Sequence, residues 1–217
     1  MKNLKSAIWR CLAVALLAVL ATEPALAHHA MGGKTPATLM QGLLSGIAHP
    51  IIGIDHLAFV IAVGLAGALA GAPLLVPAAF IVGTLAGAGL HLASVALPAT
   101  ELVISASVLL IGVVVMLRKA LALPMLAGLV ALAGLFHGFA YAEAIFGAET
   151  TPLAAYLLGF AATQFAIAAG AALLTGRLAA SATDIANAPR LAGAMVAGVG
   201  VALLAEKLTA IVFPGVS

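Results

Sequence analysis

Over eight consecutive positions, His49-Pro50-Ile51-Ile52-Gly53-Ile54-Asp55-His56, two imidazoles and a carboxylate are grouped around a proline and a glycine. Nitrogen and oxygen donors of this kind suit Ni²⁺, Co²⁺ or Zn²⁺ and disfavour Cu(I). The residues that follow, to about Ala70, are apolar. An ionisable side chain at mid-depth in a bilayer costs about 2.5–3.5 kcal/mol, so a group of them at the mouth of an apolar run marks a site. The spacing sets a mechanical condition. In an unbroken helix His49 and His56 would stand about 10 Å apart along the axis, whereas metal–nitrogen bonds are about 2.0–2.1 Å. One ion can engage both only if the helix is broken between them. Pro50 removes a backbone donor and disfavours helix at His49, so a first half-helix over residues 37–48 is expected to stop at His49-Pro50. Its last carbonyls would then face a cation.

Further donors lie along the chain. His137 and Glu143 stand six residues apart in Phe136-His137-Gly138-Phe139-Ala140-Tyr141-Ala142-Glu143, and His91 ends an earlier apolar run. His91 has a plain alternative, a helix–helix hydrogen bond. His28-His29 follow Ala25-Leu26-Ala27, which closes a basic, then apolar, N-terminal segment. That pattern reads as a secretory signal peptide over residues 1–27. Cleavage would place an amine beside an imidazole at the new N-terminus, a chelating pair. It would also remove Cys11, the one cysteine, and with it any thiolate ligand. Thr163 and Gln164 fall mid-span and could line a path but read first as polar groups that hydrogen-bond across helices, and Glu206-Lys207 reads as an ion pair or snorkelling pair.

The elements that must position these groups are membrane helices. The chain of 217 residues is 65% hydrophobic and 7% charged, where soluble domains carry about 25% charge. A soluble globular fold is excluded. The expected class is all-α, a polytopic bundle of six transmembrane helices over residues 28–217, following the cleavable signal peptide. Hydropathy and breakers place the spans near residues 54–70, 74–97, 102–117, 121–142, 153–174 and 191–213. Arg118, Lys119, Arg177 and Arg190 then share one side and Glu101, Glu143 and Glu149 the other. By the positive-inside rule the basic side is cytoplasmic, both mature termini are periplasmic, and every histidine lies in the outer half. Gly67-x3-Gly71 and Gly83-x3-Gly87 have the spacing of close helix crossings. No basic run points to nucleic acid and no phosphate loop to a nucleotide, so the partners expected are the metal ion and the lipid bilayer. No prosthetic group is indicated.

The His49-Pro50…Gly53…Asp55-His56 segment, the Ala62-Val63-Gly64-Leu65 after it, and Phe136-His137-Gly138…Glu143 resemble the HupE/UreJ family of nickel and cobalt permeases. The likeness extends over essentially the whole mature chain. It implies secondary uptake of Ni²⁺ or Co²⁺ across the bacterial inner membrane, with no enzymatic activity. The family often has a second histidine where this chain has Tyr141, and glycine where it has Ala142, so the second motif here is expected to supply fewer contacts or to select a different metal. On the residues alone two rivals stand. One is a Zn²⁺-dependent intramembrane hydrolase, the other a membrane protein that binds metal without transporting it.

Overall fold

Thr38 starts the first helix: its hydroxyl accepts from the Gln41 amide at 3.2 Å, and Gln41 Oε1 accepts in return from the Ala37 amide at 2.9 Å. This is a close variant of the reciprocal capping box. A computed structural model describes residues 34–119, 121–179 and 187–213. The leader over residues 1–27, and His28 and His29, lie outside the described residues. Among the described residues every regular element is helical: α1 Leu39–Ile52, α2 Ile54–Leu69, α3 Leu75–Leu92, α4 Thr100–Met116, α5 Leu123–Glu143, α6 Thr150–Ala179 and α7 Ala188–Val212.

The expected break is present but stands one turn later. Helix α1 runs through Pro50 to Ile52, and the chain leaves helical geometry at Gly53 (φ −72°, ψ 111°). Pro50 lies in the last turn, where its missing donor removes little of the hydrogen-bond ladder. Gly53 is needed for space. A Cβ there would stand 2.8 Å from His56 Cδ2 and 3.0 Å from Asp55 Oδ1. The glycine lets both side chains fold back over the gap. Across it α1 and α2 bend by 78°.

Among the described residues, α3, α5, residues Thr150–Arg177 of α6, and α7 are long and apolar enough to cross a membrane. The bent α1–α2 pair adds a fifth crossing if it is one span. Helix α4 is apolar but has 17 residues, at the short end of the range for a crossing. The fold is a helical membrane bundle. Helix α3 ends at Leu92, short of the expected 97. Ser94 takes a left-handed φ of 59°, and the Ser94 and Val95 amides donate back to His91 and Leu90 carbonyls at 2.8 and 3.0 Å. Helix α6 is longer than expected at both ends.

Helix α2 is the centre of the bundle. It packs on α1, α3, α4, α6 and α7, and ten of its 16 residues are buried. Around it stand three close pairs, α1/α6, α3/α5 and α4/α7. Glycines set their separation. A methyl at Gly83 or Gly87 would overlap the backbone of Ala131 or Leu135 on α5, and one at Gly138 would overlap Thr84 on α3. The Gly83-x3-Gly87 expectation therefore holds, with Gly134-x3-Gly138 as its counterpart. Gly67-x3-Gly71 does something else. Gly71 has φ 67° and closes α2 as a left-handed cap, its amide donating to the Ala68 carbonyl at 3.1 Å.

Helix directions follow from the same contacts. Gly42, Gly46 and Gly64 meet Pro152, Tyr156 and Ala168 in rising order, so the bent α1–α2 pair as a whole advances in the same sense as α6. Helices α3 and α5 are parallel, whereas Gly193 and Gly200 meet Met116 and Leu109, making α4 and α7 antiparallel. Lys207 on α7 pairs with Glu101 at the start of α4 (3.4 Å) and with Glu206 (3.5 Å). Glu206-Lys207 is the ion pair expected of it.

Candidate metal site

The last turn of α1 delivers His49, the first turn of α2 Asp55 and His56, and α5 His137 with Tyr141 one turn on. Helix α4 adds Ser107, and α6 adds Tyr156 and Gln164. His49, Asp55, His56, His137, Tyr141, Tyr156 and Gln164 are all buried. Asp55 sits in the first turn of α2, where the helix dipole favours its negative charge.

Hydroxyl groups fix the imidazole tautomers. Tyr156 Oη donates its one proton to the Tyr141 carbonyl at 2.8 Å. Toward His49 Nδ1, also at 2.8 Å, it must accept, so His49 carries its proton on Nδ1 and a lone pair on Nε2. The second chain has the same logic. Ser107 Oγ donates to the Ile104 carbonyl at 2.7 Å and therefore accepts from His137 Nε2 at 3.0 Å. His137 Nδ1 is then an acceptor, and His56 Nδ1 donates to it at 2.9 Å. His56 is left with its lone pair on Nε2, which stands 3.9 Å from Asp55 Oδ2. A neutral imidazole nitrogen and a carboxylate oxygen at this separation are donors of the kind a divalent cation takes.

In both histidines flanking the break Nδ1 is engaged by a hydrogen bond, an arrangement in which Nε2 is the ring nitrogen suited to a metal. Their ring centroids are 5.9 Å apart, a separation that metal–nitrogen bonds of about 2.0–2.1 Å can bridge. Aromatic rings close the site. Tyr141 lies on His56 (4.2 Å, 30°) and edge-on to His49 (4.9 Å, 74°). Phe59 covers His137 at 4.3 Å.

Of the residues singled out by sequence, the structure brings together His49, Asp55, His56 and His137. Among the described residues it does not bring Glu143 or His91 to them. Glu143 is the exposed last residue of α5. His91 is half-buried between Phe139 (4.5 Å) and Phe146 (5.4 Å). Among the described residues no three His, Cys, Asp or Glu side chains form a closed ligand group. His137 engages Ser107 and His56 through its two nitrogens, so its geometry is that of a support for His56. Sequence reasoning missed Tyr156 and Ser107. Tyr156, Phe160 and Gln164 recur every fourth residue on one face of α6, a spacing that would have revealed the first.

Fold and site together define a polytopic membrane protein with a buried, imidazole-lined centre at a broken helix. The family model described as HupE / UreJ protein matches residues 15–203, and the chain belongs to the HupE/UreJ family. It is 34% identical over 187 residues to Protein HupE of Rhizobium leguminosarum bv. viciae, covering 83% of this chain and 91% of that one. No solved structure matches.

Proposed function

We infer that this protein is a permease that carries Ni²⁺ or Co²⁺ into the cell by secondary transport. The observation that carries the reading is the α1–α2 break, where His49 and His56 present Nε2 beside the Asp55 carboxylate. That set can strip water from a divalent cation and offset part of its charge. Family membership supports the same reading. His137, through its bond to His56, keeps the acceptor nitrogen of His56 turned to the ion.

The protein lies in the inner membrane with six crossings, the bent α1–α2 pair counting as the first and α4 as the third. Parallel α3/α5, parallel α1–α2/α6 and antiparallel α4/α7 are the directions that six alternating crossings require. Arg118, Lys119, Arg177 and Arg190 are then cytoplasmic, and the site opens to the periplasm. Cleavage after Ala27 exposes His28-His29 as a first point of capture, and Glu143 at the outer end of α5 and His91 complete the approach. A divalent ion entering down about 100 mV gains about 4.6 kcal/mol, enough to drive accumulation without a nucleotide. Hydrolysis has less support, because the one acid suited to act as base, Glu143, is exposed at a helix end rather than beside the histidines.

Radiolabelled uptake into cells expressing the chain, with Ni²⁺, Co²⁺ and Zn²⁺ in competition, tests the proposal. Accumulation above vector control that Co²⁺ or Ni²⁺ competes away is the expected result. Metal binding by the purified protein without accumulation would leave an accessory role in its place.

A further inference from the structure

Three buried polar atoms beside the histidines have no hydrogen-bond partner among the described residues: Tyr141 Oη, Gln164 Oε1 and Gln164 Nε2. Both side chains are 0% exposed. Each such atom costs about 1–3 kcal/mol when left unsatisfied, more than packing alone would retain at two adjoining positions. The Tyr141 hydroxyl faces the Gln164 side chain across the α5/α6 boundary. Its ring rests on the rings of His56 and His49. Gly64 of α2 meets Ala168 of α6, one turn beyond Gln164. Through the Tyr141 ring these atoms adjoin the histidine pair.

We propose that Tyr141 Oη and Gln164 Oε1 form a second, neutral oxygen station that receives the divalent cation from His49 and His56. This rests on the permease reading above. The chemistry differs from the first station in a useful way. Nitrogen donors and a carboxylate hold an ion firmly, whereas neutral oxygens hold it weakly and accept hydrogen bonds from the water it retains. Conduction needs both, a site attractive enough to enter and one weak enough to leave. The carboxamide also supplies a donor, Nε2, that can hold one water of the hydrated ion in place.

The test uses the purified full-length protein in detergent, titrated with Co²⁺ alone, followed by calorimetry and by the visible absorption of the bound ion. Tyr141→Phe and Gln164→Met are made singly and together, so that one poorly folding variant leaves another to measure. The expected result is an affinity about tenfold weaker in each single variant and a changed Co²⁺ spectrum. The metal-free melting temperature should equal or exceed that of wild type, because unsatisfied atoms have been removed. Unchanged affinity and spectrum in folded variants, with wild type binding Co²⁺, overturn the oxygen station and leave the histidine site standing. Wild type that binds no Co²⁺ overturns both.

Discussion

Two histidine environments lie on the same bundle, one at the α1–α2 break and one in the last turn of α3. At the break, His49 and His56 each have Nδ1–H held by a defined acceptor, Tyr156 Oη or His137 Nδ1, and a carboxylate stands 3.9 Å from His56 Nε2. At the end of α3, His91 lies between two phenyl rings, and its buried Nδ1 has no hydrogen-bond partner among the described residues. All are imidazoles in apolar helices. What separates them is the set of groups behind the ring, which fixes the tautomer and aims the second nitrogen. A histidine without that support can rotate between phenyl faces but cannot hold a lone pair in one direction.

The largest effect should come from removing donors at the break. Asp55→Asn keeps shape and an acceptor but deletes the negative charge that offsets the ion, and His56→Ala deletes a nitrogen. Each is expected to reduce Ni²⁺ or Co²⁺ uptake to background while the amount of folded membrane protein stays near wild type. Uptake normalised to folded protein checks this. Normal uptake per molecule in Asp55→Asn would mean that the carboxylate serves packing, and the contrast between the two regions would lose its functional meaning.

A smaller effect should follow from removing only the support. Tyr156→Phe leaves every proposed ligand in place and takes away the hydroxyl that holds the His49 Nδ1 proton. Loss of such supporting groups typically lowers metal affinity about 10–100-fold. The expected outcome is a raised KM for uptake with a maximal rate closer to wild type. A change in maximal rate at unchanged KM would show that Tyr156 governs movement of α6 rather than the aim of His49.

Much of this arrangement is legible in the chain. The break between His49 and His56 follows from their spacing and from Pro50 and Gly53, although the exit falls at Gly53 because a proline in a last turn is tolerated. The grouping of His137 with His56 is consistent with their shared depth, which charge asymmetry indicates. Tyr156 and Ser107 are not legible in the same way. A hydroxyl in an apolar run has no signature until the helix it faces is known, and α6 meets both limbs of the bent pair only in three dimensions. Gln164, read from sequence as a group that packs helices or lines a path, proves to be fully buried and to face Tyr141 of α5.

The smallest effect is expected at His91. Its position between Phe139 and Phe146 gives a leucine similar apolar surroundings, and the substitution removes the unsatisfied Nδ1, a group that costs about 1–3 kcal/mol. His91→Leu should therefore leave the melting temperature of the purified protein unchanged or higher. Uptake per folded molecule should fall mildly at most, since only the outer approach of the ion is touched. A melting temperature lowered by several degrees would mean that the ring itself is a packing element between α3 and α5. Uptake reduced to the level of His56→Ala, with the protein folded, would do more. It would place His91 on the ion's path with the same weight as the break, and the support behind an imidazole would no longer decide which histidines of this bundle handle metal.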